Sequence, residues 1–193
     1  MNLDDTVASA WAELEAATVN LQSGFRYVNL CSVDASGRPQ ARMVVLRRIE
    51  RTRRLLEVHT DTRSAKWQEI SQHASVTILG FCARTKLQLR LQGMVERHGP
   101  GSERADKAWA ELSPWTRSTY AGGPPGDEVH VGAIPKSMAA NAIADSDGKA
   151  FFGVLSFRAE ALDWFELRHA DNRRALFTYD ELGALTDQRW VNP

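Results

Sequence analysis

The most constraining feature of the chain is a ten-residue stretch in which apolar and polar side chains alternate. It runs from Leu87 to Glu96 with the sequence LQLRLQGMVE, and its apolar positions recur at every second residue. A period of two is that of a β-strand with one buried face and one polar face. Strands of this kind belong to antiparallel sheets, because parallel sheets are covered on both faces and read as continuous apolar runs. The stretch therefore predicts a largely antiparallel protein.

Further strands and three amphipathic helices are predicted on both sides of this stretch. The helices are expected at 4–21 with Asp4 or Asp5 as cap, from a cap at Asp61 or Thr62 to about Gln72, and at 102–112. Roughly seven or eight strands are expected among nine strand-like segments, 27–33, 38–48, 55–60, 76–81, 87–96, 150–157, 161–167, 173–179 and a short terminal one at 189–191. Residues 114–126 are predicted to form a loop, and the segment from there to Lys149 has no clear pattern.

These elements favour a mainly β fold with peripheral helices, an antiparallel barrel with helical decorations in the α+β class. One domain over residues 1–193 is expected. Within it, an N-terminal helix at 4–21 precedes a barrel formed by about 25–97 and 150–193, and a helix and loop insertion occupies about 100–149.

Charge and targeting signals exclude several classes of function. The 193 residues carry 24 basic and 24 acidic side chains, so no global field attracts nucleic acid or an anionic membrane, and an anion site must be local. Cys31 and Cys82 do not form a CxxC pair and are expected to be free thiols in a reducing compartment. The start MNLDDTVASAW lacks a leader pattern, and no run of 18 apolar residues occurs. A cytoplasmic protein without a metal site is expected.

One strand segment, Arg42 to Arg47 with the sequence RMVVLR, carries a permanent positive charge at each end. A buried guanidinium without a partner is costly. At about 3.3 Å per residue the two Cα atoms lie roughly 17 Å apart, and five residues of separation place the side chains on opposite faces. An elongated ligand with a phosphate at one end and a polar ring at the other would satisfy both. Alternatively, each of the two arginines pairs with an Asp or Glu of the protein at the sheet edge, which would satisfy both charges equally well.

The first turn of the second predicted helix contains Arg63, Ser64 and Lys66. A helix N-terminus presents free backbone N–H groups and a partial positive charge, so basic and hydroxyl side chains there form a phosphate site. The alternative is a solvated first turn that tolerates a slightly unfavourable charge.

Several motifs in the same order resemble the pyridoxamine 5'-phosphate oxidase-like flavoproteins, which are FMN-binding split β-barrels that work as homodimers. A turn with Asp34, Gly37 and Pro39 leads into RMVVLR, which looks like the family's RMVLLK. The segment TDTRSAK at 60–66 looks like its Thr-Asn-x-x-Ser-Arg-Lys, and the strand before it ends in His-Thr where the family has Tyr-Thr. Gln88 precedes Gly93 by five residues, and Trp164 precedes Arg174 by ten, as in the family.

The resemblance implies an FMN-dependent oxidoreductase with a small-molecule substrate and a cofactor site at the interface of a homodimer. It implies that the phosphate is bound by Arg42, Lys66, Ser64 and Arg63, and that the main chain of Met43, Val44, Val45 and Leu46 follows the isoalloxazine edge. Arg47 is expected near the reactive face, His59, Thr60 and Gln88 are expected to make polar contacts, and Trp164 and Arg174 are expected from the partner chain. No side chain is expected to act as a catalytic acid or base, because the flavin carries the chemistry.

Departures from the family pattern limit what the resemblance implies about the substrate. The Arg-x-His group that grips substrate in the true oxidases is replaced by Ala170-Asp171-Asn172. The family's substrate-phosphate Tyr and Arg have no clear counterpart, although Arg117 and Tyr120 lie nearby, and Ala65 replaces a phosphate-binding arginine. Loss of such a contact costs about 1.5 to 3 kcal/mol. FMN binding is therefore expected without oxidation of pyridoxamine phosphate. A flavin-binding protein without turnover, and a barrel that uses a deazaflavin or heme, are the alternatives.

Overall fold

The computed structural model describes residues 2–128 and 148–193, which form eight antiparallel strands. The strands are β1 Tyr27–Val33, β2 Pro39–Glu50, β3 Leu55–Asp61, β4 Ser75–Cys82, β5 Leu87–His98, β6 Phe152–Glu166, β7 Arg173–Tyr179 and β8 Leu185–Val191. Neighbours pair in the order β3-β2-β1-β4-β5-β6-β7-β8, and β3 also pairs with β6. That second pairing closes six strands into a barrel, and β7 and β8 extend the sheet beyond it. The predicted antiparallel split barrel is confirmed.

The barrel interior is built from the alternating apolar positions. In β5, the residues at the apolar positions are buried from Leu87 to Val95, as the sequence pattern predicted. Gly93 is required in this row, because a Cβ there would lie 2.0 Å from the carbonyl oxygen of Arg158 on β6. The pairing of β5 with β6 shifts its register between Gln92 and Gly93. This close approach bends β6, so that one strand serves both the barrel and the extension.

β6 is one strand of 15 residues, where the sequence predicted two. The charged segment around Arg158 and Glu160 indicated a break, but its backbone is fixed by neighbours on both sides. The first half of β6 pairs with β3, the second half pairs with β7, and β5 pairs along nearly its whole length. Tertiary pairing therefore overrides the local signal.

In the described part of the chain, four helices decorate the barrel: α1 Leu3–Ala17, α2 Ala65–Gln72, α3 Glu103–Ala110 and α4 Pro114–Ser118. A 3₁₀ turn, Lys149–Phe151, precedes β6. None of the helices within 2–128 and 148–193 is long and apolar enough to cross a membrane.

The helix boundaries differ from the prediction at three places. α1 is capped by Asn2, and it ends at Ala17 because the guanidinium of Arg26 donates to the last carbonyl groups of the helix. α2 is capped by Ser64, two or three residues later than expected. α4 lies inside the predicted loop, because Ser113 caps a short turn that begins with proline. The remainder of the segment without clear pattern, 129–147, lies outside the described residues.

Candidate functional site

Arg42 and Lys66 meet at the N-terminus of α2, as the sequence predicted. β3 ends at Asp61, a short turn follows, and Ser64 then caps α2 with an extended backbone. The Nζ of Lys66 donates to Thr60 Oγ1 at 3.0 Å and to Ser64 Oγ at 3.3 Å. The first N–H groups of a helix have no acceptor within the helix, so this corner presents donors from both backbone and side chains. It has the composition of a phosphate-binding site.

The charges in this cluster are only partly balanced. The Nη2 of Arg42 lies 2.7 Å from the Oε2 of Glu69, and Ser32 accepts a hydrogen bond from Arg42 while donating one to Glu69. Lys66 has no carboxylate within ion-pair distance anywhere in the described part of the chain. Burial lowers the pKa of Lys66, and the neighbouring Arg42 lowers it further. Two cations therefore lie beside one carboxylate, and the half-buried ammonium of Lys66 donates hydrogen bonds only to hydroxyl groups.

Arg63 is engaged away from this cluster. Its Nη2 donates to Asp61 at 2.7 Å and its Nη1 donates to the carbonyl oxygen of Gly122 at 2.9 Å. The guanidinium also stacks over Phe151, with 3.6 Å from its carbon to the ring centroid. The pKa of Arg63 is raised because Asp61 accepts its hydrogen bonds. A contact of Arg63 with a phosphate, which would compensate for Ala65, stays a prediction.

The strand β2 leads from the cluster to a second group of polar residues. Val44 and Leu46 are buried, which places Arg42 on their side of the strand and Arg47 on the other. Arg47 is the extra residue of a β-bulge, because Leu46 pairs with Val58 and Arg48 already pairs with Glu57. Bulges of this kind re-aim side chains and are common beside active sites. The expectation that the two arginines point to opposite faces is confirmed.

Arg47 and His59 line a cavity of about 650 Å³. The cavity lies between β2, β3 and α3, and its other lining residues are Arg48, Arg53, Glu57, His98, Ser102, Glu103, Arg104, Lys107, Ala108, Glu111 and Leu112. The Nε of Arg47 and the Nδ1 of His59 are buried without a hydrogen-bond partner in 2–128 and 148–193. Burial, helped by the charge of Arg47, lowers the pKa of His59 to about 4. The imidazole is therefore neutral near pH 7.

Comparison with known proteins gives the same family as the motifs. The family model described as "Pyridoxamine 5'-phosphate oxidase, FMN-binding domain" matches residues 8–99, which include RMVVLR and the α2 cluster. The "Pyridoxine/pyridoxamine 5'-phosphate oxidase 2" of Arabidopsis thaliana is 24% identical over 182 residues, which are 90% of each chain. A solved pyridoxamine 5'-phosphate oxidase-related, FMN binding protein from Nostoc punctiforme is 25% identical, with a TM-score of 0.79 over 96% of both chains. The chain is therefore similar to the pyridoxamine 5'-phosphate oxidase-like proteins, and its residues 8–99 match their FMN-binding domain.

PhzG from Burkholderia lata, solved in complex with tetrahydrophenazine-1-carboxylic acid, shares the fold of this family. It is 17% identical, with a TM-score of 0.73 over 98% of this chain and 92% of that one. The shared barrel therefore extends through the C-terminal strands, beyond the residues that the family model matches.

Three residues predicted from the family pattern lie away from the α2 cluster. Trp164 is 3% exposed and packs edge-on against Trp190 in the core. Arg174 pairs with Asp163 on β6, at 2.8 and 2.9 Å. Gln88 lies on the polar face of β5, opposite Phe81 and Phe165. Within one chain these residues do not join Arg42 and Lys66, so their contact with a cofactor across a subunit interface stays a prediction.

Sequence reasoning missed Glu69, Ser32 and the role of Tyr120. Glu69 follows Lys66 by three residues on one face of α2, a spacing that could have indicated a shared cluster. Tyr120 packs edge-on against Phe152, which also contacts His59, and burial raises the pKa of Tyr120 to about 12. No local pattern links Tyr120 to the barrel.

Proposed function

We propose that the protein is an FMN-dependent oxidoreductase, with the cofactor phosphate at the N-terminus of α2. The observation that carries the proposal is the half-buried ammonium of Lys66, which lies beside Arg42 without a carboxylate within ion-pair distance in the described chain. A phosphate would accept charge-assisted hydrogen bonds from both groups. This arrangement agrees with the family's printed description as an FMN-binding domain.

The residues present fit a flavin mononucleotide along its length. Lys66, Arg42, Ser64 and the first N–H groups of α2 would hold the phosphate, and the main chain of β2 would run beside the ring toward the bulge at Arg47. Arg47 has a buried Nε without a partner among the described residues, and a ring carbonyl would satisfy it. When bound, the flavin supplies hydride transfer, and the protein binds and orients it.

We infer that the chain works as a homodimer through the outer face of β2, β1 and β4. Met43, Tyr27 and Phe81 are 60%, 56% and 44% exposed on neighbouring strands of this face. Contiguous exposed apolar side chains mark association surfaces. In solution we expect the mass of a dimer, and Tyr27→Glu combined with Phe81→Glu should give a monomer. A native protein with monomeric mass that still retains FMN would contradict this part of the proposal.

The substrate is expected to differ from pyridoxamine 5'-phosphate. Ala170, Asp171 and Asn172 stand where the true oxidases of the family have an Arg-x-His grip, and all three are exposed. Turnover of pyridoxamine or pyridoxine 5'-phosphate by the FMN-loaded protein should be negligible. Robust turnover would contradict this expectation.

The cofactor assignment is tested by reconstitution with FMN. The purified protein should retain a yellow flavin after gel filtration, and mass spectrometry after mild denaturation should identify it as FMN. Arg42→Ala combined with Lys66→Ala should abolish retention. The matched control, Arg84→Ala with Lys86→Ala, removes the same two charges from the exposed turn between β4 and β5 and should retain FMN. Undiminished retention in the first variant would overturn the phosphate site.

A further inference from the structure

Arg63 joins the turn before α2 to a separate part of the molecule. Its Nε and Nη2 donate to the carboxylate of Asp61 inside the turn, at 2.7 to 3.3 Å. Its Nη1 and Nη2 also donate to the carbonyl oxygens of Gly122 and Tyr120, at 2.9 and 3.2 Å. A guanidinium can make these contacts at once because its donors are fixed in a planar fork. The side chain therefore forms a bridge from the proposed phosphate site to the residues that follow α4.

The far end of this bridge belongs to residues 103–122, which contain α3 and α4 and are named the α3–α4 module. The module has a small apolar core that it shares with the start of β6, formed by Ala105, Ala108, Trp109, Phe152 and Val154. The large core of the barrel contains no described residue of the module. Regions with few buried apolar contacts have low local stability, so single polar links strongly affect how firmly the module is docked.

Other polar links between the module and the barrel begin outside the turn before α2. Arg104 on α3 lies 2.7 Å from Glu57 on β3, and Lys149, just before β6, lies 2.9 Å from Asp106 on α3. The bridge from Arg63 differs from both, because its barrel end lies at the N-terminus of α2, where the phosphate is proposed. It is therefore placed to respond to a ligand at α2.

Hydrogen bonds connect the bridge to Lys66. The Nζ of Lys66 donates to Ser64 Oγ at 3.3 Å, and that hydroxyl donates to the carbonyl oxygen of Asp61 at 2.6 Å. The carboxylate of Asp61 accepts a hydrogen bond from the backbone N–H of Arg63 at 2.7 Å. A phosphate held by Lys66 and Ser64 would restrict the same turn from which Arg63 extends. A ligand that rigidifies one group lowers the entropic cost of ordering the next, so the two events favour each other.

We propose that Arg63 is a positioning residue that couples the phosphate site to the α3–α4 module, so that a bound phosphate docks the module more firmly on the barrel. The identity of the ligand as FMN rests on the proposed function, whereas the link itself does not. The module supplies the α3 wall of the cavity beside Arg47 and His59, and the ring of Tyr120 packs on Phe152, which contacts His59. Phosphate binding therefore stabilises one wall of that cavity.

Hydrogen–deuterium exchange of the full chain, measured by mass spectrometry, reports how firmly the module is docked. The protein is compared without ligand, with saturating FMN and with saturating riboflavin, which lacks the phosphate. FMN should slow exchange in 103–122 about fivefold or more relative to riboflavin, a factor typical of two coupled sites. Exchange in α1, which contacts β2 and β8, should be the same with both ligands. Equal exchange in 103–122 with FMN and riboflavin would overturn the proposal.

Removal of the bridge tests the role of Arg63 itself. In Arg63→Met the FMN-specific slowing should be lost, and FMN affinity should fall by the same factor while riboflavin affinity stays unchanged, because coupling between two sites is reciprocal. Lys149→Met is the matched control, since it removes the link to Asp106 and leaves the turn before α2 intact. Exchange in 103–122 should be faster in this control, but the ratio between FMN and riboflavin should persist. Equal loss of the ratio in both variants would show that Arg63 only stabilises the module, and the proposal would be wrong.

Two further outcomes separate the link from a direct phosphate contact and from the proposed function. If Arg63→Met weakens FMN binding but keeps the FMN-specific slowing, the guanidinium contacts the phosphate and the proposal is wrong. If the protein binds no FMN, the proposed function fails, and inorganic phosphate becomes the probe. Slower exchange in 103–122 with phosphate than with chloride at equal ionic strength would then support the link, and equal exchange would overturn it.

Folding of the variants is checked by circular dichroism, which should show native secondary structure in both. The comparison of FMN with riboflavin on the native protein requires no variant, so it decides the proposal even if Arg63→Met does not fold.

Discussion

Two clusters in this barrel have the same formal composition, two basic side chains and one carboxylate, but only one of them pairs both basic side chains with its carboxylate. At the outer sheet, Asp163 accepts hydrogen bonds from Arg90 at 2.7 Å and from Arg174 at 2.8 and 2.9 Å. The carboxylate is the buried member, at 8% exposure, and the guanidinium groups are 42% and 33% exposed. Although burial raises it, hydrogen bonds and charge from Arg174 and Arg90 lower the pKa of Asp163.

At the N-terminus of α2 the carboxylate is also the most buried charged group, but it pairs with only one of the two cations. Glu69 pairs with Arg42, and Lys66 is held by Thr60 and Ser64. A buried carboxylate that pairs with two arginines is neutralised within one chain, whereas a half-buried ammonium among hydroxyl groups keeps its charge for an added anion. The comparison therefore distinguishes a cluster that stabilises the fold from one that we propose binds a ligand.

Replacement of the half-buried ammonium of Lys66 should give the largest effect. Lys66→Met keeps the aliphatic packing and removes the charge, so FMN affinity should fall by about a hundredfold, while the free energy of unfolding of the FMN-free protein should stay unchanged or rise. FMN titration and urea denaturation measure the two quantities. If Lys66→Met is less stable but binds FMN with unchanged affinity, this cluster stabilises the fold and does not bind the phosphate.

The carboxylate at the outer sheet should behave in the opposite way. Asp163→Asn leaves the guanidinium groups of Arg90 and Arg174 adjacent without an anion, so the free energy of unfolding should fall by about 2 kcal/mol. Solvent contact of both arginines keeps the loss below that of a fully buried pair. The urea midpoint at an unchanged slope measures it. If Asp163→Asn is as stable as the native protein, Asp163 does not stabilise the fold, and the proposed difference between the two clusters is wrong.

Local motifs were sufficient to predict that the basic side chains of the α2 cluster come together. The segment 60–66 contains the helix cap and the ammonium, and one strand motif contains Arg42, so their chemistry follows from short-range patterns. The barrel was predictable for the same reason, because the period of two in β5 specifies an antiparallel strand whatever its neighbours are.

The stabilising cluster required information that the sequence does not carry locally. Asp163 and Arg90 come together only through the register of β5 with β6, and Arg174 reaches the same carboxylate from β7. The pairing of Arg42 with Glu69 likewise depends on how α2 packs against the barrel. Trp164 illustrates the limit most plainly, because its spacing from Arg174 matches the family and yet its side chain is in the core.

Removal of the competing carboxylate at α2 should produce a smaller change. Glu69→Gln keeps a hydrogen-bond acceptor for Arg42 and Ser32 but cancels the negative charge beside the phosphate site. FMN affinity should therefore rise about fivefold, a change near 1 kcal/mol. Riboflavin, which lacks the phosphate, should bind both proteins equally well. An equal gain for riboflavin would show that Glu69 acts on the ring or on the fold.

The smallest expected effect is a pH dependence that comes from the single proton on Lys66. Because burial lowers the pKa of this ammonium, the unfolded chain binds more protons than the folded chain between the lowered pKa and the ordinary lysine value. Stability of the FMN-free protein should therefore rise with pH across that interval, while FMN affinity falls because a neutral amine attracts phosphate weakly.

Lys66→Met is the control for this prediction, and it should flatten both pH profiles. FMN titrations and urea denaturation at a series of alkaline pH values give the two slopes. If the ammonium of Lys66 binds the phosphate, FMN affinity should fall with pH while the free energy of unfolding of the FMN-free protein rises. The reason is that the proton on Lys66 strengthens phosphate binding but destabilises the FMN-free protein. If both quantities change with pH in the same direction, or if the pH dependence persists in Lys66→Met, the titrating group is not Lys66. The proposed electrostatic difference between the two clusters would then be wrong.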